Sequence, residues 1–264
     1  MVDIHHHLLW GLDDGAADIE MSVAMAKMAV ADGITHAVCT PHSNGTFAYR
    51  PAEIAAKAQE LQERLAAERV PLSIGVGCDF HLSYDNIQAA KADPARFSVN
   101  GLGYLLIELP DYSISPHLNE VFYELQLAGL TPILTHPERN ATIQGDTTRL
   151  AEWMRGGVLV QVTADSILGK MGKPAEKLAH QLLSKKWVHF IATDAHNVTS
   201  RPPNMKAAAE AVAKRYGADY AERLVTINPS AVFQGGIIEQ VDEPIDLYED
   251  YKEPNWWQRM TSRR

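Results

Sequence analysis

Histidine and carboxylate residues recur at the ends of the short apolar segments of this chain. His5 and His7 are separated by one residue at the end of the first segment, and Asp194 and His196 repeat that spacing at the end of the last. On an extended chain, residues two apart point to the same side about 6.6 Å apart, so each pair can offer two donor atoms to one ion. Glu108 lies in an apolar segment, where a carboxylate is costly unless it is paired or coordinated. Imidazole and carboxylate donors without cysteine indicate a site for divalent Zn, Mn, Fe or Co.

The other candidate ligands occupy the same place relative to their segments. His42 follows the second segment, Asp79 the third, and His136 the fifth, whereas the sixth ends near Thr163 without an obvious ligand. Taken singly, such a residue is more often a hydrogen-bonded surface group or a turn residue, and Glu108 could be a salt-bridge partner. However, six of the seven segments end in a potential ligand, and this regularity favours a single shared metal cluster.

The elements that must position these residues are strands that alternate with helices. Short β-rich apolar runs are separated by longer amphipathic stretches, which predicts parallel pairing and, at this length, a closed or nearly closed barrel. An open doubly wound sheet is the alternative, but the glycine-rich phosphate loop that would support it is missing. The predicted strands are Val2–His5, Ile34–Cys39, Leu72–Gly77, Tyr104–Glu108, Pro132–Thr135, Val158–Val162 and Val188–Thr193. The predicted helices are Ile19–Ala31, Ala52–Glu68, Ser83–Ala95, Pro116–Ala128, Arg149–Arg155, Pro174–Ser184 and Met205–Arg215.

Composition limits the class of protein and its partners. The chain has 264 residues, of which 46% are hydrophobic and 22% charged, as in ordinary globular proteins. A net charge of -9 argues against a nucleic-acid-binding protein. We see no signal peptide and no apolar run of membrane-spanning length, and two cysteines make no disulfide framework, so we expect a cytoplasmic protein that is not an integral membrane protein. We predict one barrel domain over residues 1–237 and a C-terminal extension over residues 238–264.

The motifs resemble those of a known family, the bacterial PHP-class tyrosine phosphatases of the CpsB/YwqE type. The resemblance runs in order from residue 1 to about residue 237. Its motifs are Asp3-Ile4-His5-X-His7, Gly11-Leu12-Asp13-Asp14-Gly15, Thr40-Pro41-His42, Glu108, His136-Pro137-Glu138-Arg139, Asp194-X-His196-Asn197, Ser200-Arg201-Pro202-Pro203 and Ile227-Asn228-Pro229.

This resemblance implies a distorted (β/α)7 TIM-like barrel of the PHP superfamily with three metal ions, usually manganese in activity assays. It also implies dephosphorylation of a tyrosine autokinase of capsule or exopolysaccharide synthesis. Arg139 and Arg201 would bind the phosphate. The implied ligands are His5, His7, Asp79 and Asp194 for the first ion, Asp79, Glu108 and His136 for the second, and Asp14, His42 and His196 for the third.

One position departs from the family. Members usually carry Glu where this chain has Asp79, and the shorter side chain reaches roughly 1.5 Å less far.

The function that we predict is metal-dependent hydrolysis of a phosphomonoester, with phosphotyrosine in a protein as the substrate. Two or three divalent ions would activate the attacking water, and the arginines would neutralise the phosphoryl oxygens. Two alternatives stay open: a small-molecule phosphatase of the same superfamily, of the histidinol-phosphate type, and a catalytically silent scaffold that metals stabilise. Trp10, just after the first motif, is either a core residue or a contact for a substrate ring.

The extension lies beyond the resemblance. Residues 246–251 are acidic and contain two tyrosines, and Trp256-Trp257 and three arginines follow. One interpretation is a strap that packs its tryptophans on the barrel. The other is an interface with a partner protein or a second copy of the chain, because exposed aromatic and arginine side chains are typical interface anchors.

Overall fold

The computed structural model describes residues 1–110 and 114–248, and its centre is a set of short strands that pair in parallel. Seven apolar segments supply the strands, and two of those segments are interrupted. The strands are β1 Val2–His6, β2 His36–Cys39, β3 His42–Ser43, β4 Ser73–Val76, β5 Asp79–His81, β6 Tyr104–Glu108, β7 Thr131–Thr135, β8 Leu159–Thr163 and β9 Phe190–Ala192.

The strands close into a barrel. One sheet has the order β1-β2-β4 and the other has the order β3-β5-β6-β7-β8-β9. The chain runs from β2 into β3 and from β4 into β5, so the two sheets are continuous with each other. A bridge between His6 and Ala195 joins β1 to the segment after β9, and the His7 N–H donates to the Ala195 carbonyl at 2.9 Å. The predicted seven-stranded distorted barrel is therefore confirmed.

Helices cover the outside of the barrel. Asp18 caps the first helix by accepting a hydrogen bond from the Met21 N–H, and Ser83 caps the third by accepting from Asn86, as residues of these types do at helix starts. The helices are α1 Ile19–Ala31, α2 Pro51–Ala67, α3 Tyr84–Ala92, α4 Leu118–Leu127, α5 Ala141–Gly145, α6 Thr148–Arg155, α7 Ala164–Ile167, α8 Lys173–Ser184, α9 Lys206–Tyr216, α10 Ala218–Glu222 and α11 Asn228–Gln234.

Alternate residues of the strands face two different hydrophobic clusters. Leu106 and Phe190 belong to a small cluster with residues from β1, β2, β7 and β9, whereas their neighbours Ile107 and Ile191 belong to the large cluster that includes the helices. Because side chains alternate along a strand, the small cluster fills the barrel and the large one lies between barrel and helices. Polar ligands are thus left to the carboxyl ends of the strands.

Two features of the fold were not predicted. β3 and β5 continue the second and third strands after an interruption, which in the second lies at Thr40-Pro41, where proline lacks a backbone N–H donor. Pairing resumes beyond it, because the Asp79 N–H donates to the Pro41 carbonyl at 3.2 Å. The short helices α5, α7, α10 and α11 were also missed, because five or so residues show too little periodicity.

The first part of the extension packs on the barrel. Leu247 is buried, the Trp187 indole donates to the Ile245 carbonyl at 2.8 Å, and Arg223 is paired with Asp242. Trp256-Trp257 and the terminal arginines, on which both interpretations of the extension depend, lie outside the described residues. None of the helices described has the length and hydropathy that a membrane span requires.

Candidate metal centre

The structure brings all nine sequence-predicted metal ligands together at the carboxyl ends of the strands. Among the described residues they form four overlapping groups whose donor atoms lie within 4.8 Å of one another. The groups are His5, His7 and Asp194; His5, Asp79 and His136; His42, Asp79 and Glu108; and His7, Asp14, His42 and His196.

The floor of the cluster is buried. His5 Nε2 lies 3.5 Å from Asp194 Oδ1 and 3.6 Å from Asp79 Oδ2, and His7 Nε2 lies 3.4 Å from the same Asp194 oxygen. His5, Asp79 and Asp194 have at most 2% of their side chains exposed. These donors therefore face one another in a region that solvent does not reach.

The rim of the cluster is more open. Asp14 Oδ1 lies 3.4 Å from both His42 Nε2 and His196 Nε2, and 55% of the Asp14 side chain is exposed. The other nitrogen of His42 lies 3.1 Å from Asp79 Oδ2 and 3.7 Å from Glu108 Oε2. His42 thus faces donors from two of the implied sites, whereas the resemblance assigned it to the third ion alone.

The donor set fits divalent cations. Asp79 Oδ2 and His42 Nδ1 are buried and lie 3.1 Å apart, but neither makes a hydrogen bond of suitable geometry with any described residue. Buried polar atoms without a partner are rare in folded proteins, and a bound ion is one of their ordinary explanations. Nitrogen and oxygen donors without thiolates suit Mn, Fe, Co or Zn.

Electrostatics within the cluster favour the ionised form of Asp79, whereas burial and the nearby Asp79 raise the pKa of Glu108 to about 7. Burial opposes the charge on Asp79, but the adjacent His5 and His42 outweigh it and hold its pKa well below the usual range. Burial likewise opposes the charge on His42, yet the neighbouring carboxylates raise its pKa to about 11. Protons on these imidazoles offset the carboxylate charge, and bound cations would displace them.

Three imidazoles are oriented by hydrogen bonds to oxygen atoms that are not among the predicted metal-donor atoms. His7 Nδ1 donates to Asp13 Oδ2 at 2.7 Å, His5 Nδ1 donates to Gln161 Oε1 at 3.0 Å, and His196 Nδ1 donates to a backbone carbonyl at 2.9 Å. Because each acceptor fixes the proton on Nδ1, it leaves Nε2 for an ion. Sequence reasoning assigned no role to Asp13 or Gln161. Two features of the sequence could have identified them: Asp13 is a second carboxylate beside Asp14, and Gln161 is a lone amide in the apolar strand β8.

Two of the predicted ligands have left-handed backbone conformations. The φ angles are +33° at His136 and +53° at Asp194, which residues other than glycine rarely adopt. Asp3 holds the second of these turns, since its carboxylate accepts hydrogen bonds from the N–H of Thr193 at 3.0 Å and from the Thr193 hydroxyl. This barrel-closing contact was also missed from the sequence.

Both predicted phosphate-binding arginines contact Asp194. Arg201 Nη2 donates to Asp194 Oδ2 at 2.5 Å, and Arg139 Nη1 donates to the same oxygen. The other oxygen, Oδ1, faces His5 and His7. Asp194 therefore connects the imidazole floor to two guanidinium groups that are 31% and 26% exposed.

Comparisons with known proteins identify the family of this chain. A family model described as "Capsular polysaccharide synthesis, CpsB/CapC" matches residues 1–234. This chain belongs to the CpsB/CapC family. It is 32% identical over 246 residues to the tyrosine-protein phosphatase YwqE of Bacillus subtilis, which covers 93% of this chain and 96% of that protein.

Two further relatives agree with this assignment. The putative tyrosine-protein phosphatase CapC of Staphylococcus aureus is 36% identical over 207 residues, with 78% of this chain and 81% of that protein covered. Among solved structures, the barrel superposes with a TM-score of 0.86 and 33% identity, over 93% of this chain and 99% of the other. That structure comes from work on YwqE from Bacillus subtilis and CpsB from Streptococcus pneumoniae, described as unique metal-dependent tyrosine phosphatases.

Proposed function

We propose that this protein is a metal-dependent protein-tyrosine phosphatase that hydrolyses phosphotyrosine in a tyrosine autokinase of capsule or exopolysaccharide synthesis. One observation carries the proposal. A buried group of imidazoles and carboxylates shares Asp194 with two arginines that are about one quarter to one third exposed. Metal-dependent tyrosine phosphatases among the relatives of the family support the choice of substrate.

The residues that would hold two or three ions are the nine predicted ligands. We assign His5, His7, Asp79 and Asp194 to the first ion. Glu108 and His136 would join Asp79 at the second, and Asp14, His42 and His196 would hold the third. We propose that the bound ions are manganese, and Fe, Zn or Co would also suit these donors. Bound ions would lower the pKa of water and offset phosphoryl charge.

The arginines would position the phosphate. Each guanidinium has five N–H donors, of which the contact with Asp194 uses a single Nη group. The Nε–H of Arg201 is buried and has no acceptor among the described residues. A phosphoryl oxygen would supply that acceptor, and the guanidinium would then stabilise negative charge as the ester bond breaks.

We also propose a cytoplasmic location and a one-domain barrel over residues 1–237, with the extension as a contact for a partner or for a second copy. The net charge of -9 supports a protein partner over nucleic acid.

The test of the function combines metal analysis with turnover. The purified full chain should contain divalent metal and should hydrolyse a phosphotyrosine peptide faster than histidinol phosphate. Prolonged chelation should abolish turnover, and manganese should restore it. The variant His136→Ala should lose turnover by orders of magnitude while keeping its fold, whereas His117→Ala, at an exposed histidine that directly precedes α4, should match the wild type. Full activity of the demetallated protein would refute the proposal.

A further inference from the structure

Phe47 is a half-buried aromatic residue beside the cluster whose position no core packing explains. It lies in the loop between β3 and α2, and its ring stacks on that of His42 with centroids 6.0 Å apart and planes 16° apart. Among the described residues, it belongs to neither hydrophobic cluster and is not one of the partly buried side chains packed against them. A ring outside the core and next to a metal-ligand candidate is available to a bound molecule.

The loop holds Phe47 in place. The Asn44 N–H donates to the Phe47 carbonyl at 3.0 Å, and Asn44 Oδ1 accepts from the backbone N–H groups of Thr46 and Phe47, both at 2.9 Å. An asparagine that hydrogen-bonds the backbone two and three residues later forms a tight turn. The phenyl ring is therefore positioned by the backbone as well as by its contact with His42.

Phe47 lies on the open side of the cluster. The floor carboxylate Asp79 is 1% exposed, whereas Glu108 is 24% exposed and Asp14 55%. His42 belongs to this open side, with 13% of its side chain exposed. A phosphate ester would enter the cluster from this open side. The group attached to its bridging oxygen would then lie near the ring of Phe47.

Trp10, the other aromatic candidate, has different contacts. Its ring packs against the large hydrophobic cluster, and the Lys57 ammonium lies 5.2 Å from the ring centroid. The same ammonium donates to the Trp10 carbonyl at 2.8 Å. Core packing and Lys57 thus account for Trp10, and Phe47 is the better candidate for a substrate contact.

We propose that Phe47 contacts the aromatic ring of the substrate and makes the site prefer aryl over alkyl phosphate esters. This inference rests on the proposed function. In phosphotyrosine the ring is joined to phosphorus through one oxygen, so a phosphate held by the candidate ligands would place the ring close to His42, on which Phe47 stacks. Aromatic pairs are favourable at centroid separations of about 4.5–7 Å, and the strength of such a pair corresponds to roughly a threefold to tenfold change in affinity.

The experiment compares two peptides of identical sequence that carry phosphotyrosine or phosphoserine, with the manganese-loaded full chain. In Phe47→Leu, the ratio of kcat/KM for the phosphotyrosine peptide to that for the phosphoserine peptide should fall about threefold to tenfold, mainly through KM. Phe47→Tyr should restore it. Tyr123→Leu, which removes an exposed aromatic ring from α4, should leave the ratio unchanged. Inhibition constants for phenylphosphonate and methylphosphonate give the same comparison with ligands that are not hydrolysed.

The outcomes separate this inference from the proposed function. An unchanged ratio in Phe47→Leu, or an equal loss with both peptides and both phosphonates, would overturn the inference while the enzyme stays a phosphatase. Loss of bound metal in Phe47→Leu would also overturn it, because the ring would then only support His42. Absence of metal-dependent turnover of phosphotyrosine by the wild type would overturn the proposed function, and the inference with it.

Discussion

Replacing Gln161 with leucine tests whether the metal centre depends on a residue that is not a ligand. Gln161 is fully buried in β8, its Oε1 accepts from His5 Nδ1, and its Nε2 has no partner among the described residues. Leucine has a similar volume but no acceptor. The His5 Nδ1–H would then be buried without a partner, or its proton would move to Nε2 and block the atom that faces Asp79 and Asp194.

The expected effects on metal affinity and on folding differ. Losing an outer partner of a ligating histidine lowers metal affinity by about 10- to 100-fold, which is about 1.4–2.7 kcal/mol. In the metal-free protein, the unpaired His5 N–H costs about 1–3 kcal/mol, but removal of the unpaired Gln161 amide nitrogen offsets a similar amount. We therefore expect the free energy of unfolding of the metal-free protein to change by less than about 1 kcal/mol.

The assay measures manganese affinity by competition with a chromophoric chelator, and stability by urea unfolding in EDTA. Gln126→Leu is the matched control. It also removes one glutamine hydrogen bond, which Gln126 on α4 donates to the Gly156 carbonyl outside the cluster. Its metal affinity should equal that of the wild type. If Gln161→Leu binds manganese as tightly as Gln126→Leu, the role assigned to the His5 tautomer is wrong.

Three further predictions concern other residues. Asp79→Ala should lose at least one bound ion in elemental analysis and Asp79→Glu should not; full metal content in the alanine variant would remove Asp79 from the ligand set. Arg139→Ala and Arg201→Ala should each lower kcat/KM for a phosphotyrosine peptide by about 100-fold or more without loss of metal, and a loss of metal would give that arginine a structural role. Burial lowers the pKa of His189 to about 4, below its unfolded value near 6.5, so stability is lost as pH falls below 6.5. The free energy of unfolding, measured in urea, should therefore fall between pH 8 and pH 5 by about 2 kcal/mol less in His189→Asn than in the wild type. Equal decreases in the two proteins would contradict this pKa.

The main features of the fold could be predicted from the sequence because they depend on local patterns. Seven apolar segments alternate with amphipathic ones, and each pattern has the period of its own element. The strand Tyr104–Glu108 was predicted with its observed bounds, and α1 likewise. Errors occur where the pattern is too short to carry a period, as in β3, which has two residues, and α7, which has four.

For the site, the sequence by itself determined which residues are chemically able to bind metal and that they follow strands. That was sufficient to bring together His5, Glu108 and Asp194, since the carboxyl ends of parallel strands in a barrel must meet. Only the tertiary structure decided which atoms face one another. It directs both nitrogens of His42 toward different carboxylates and gives His5 an acceptor 156 positions away in Gln161. Such contacts depend on side-chain direction and on the register between distant strands, which no local spacing in a single sequence encodes.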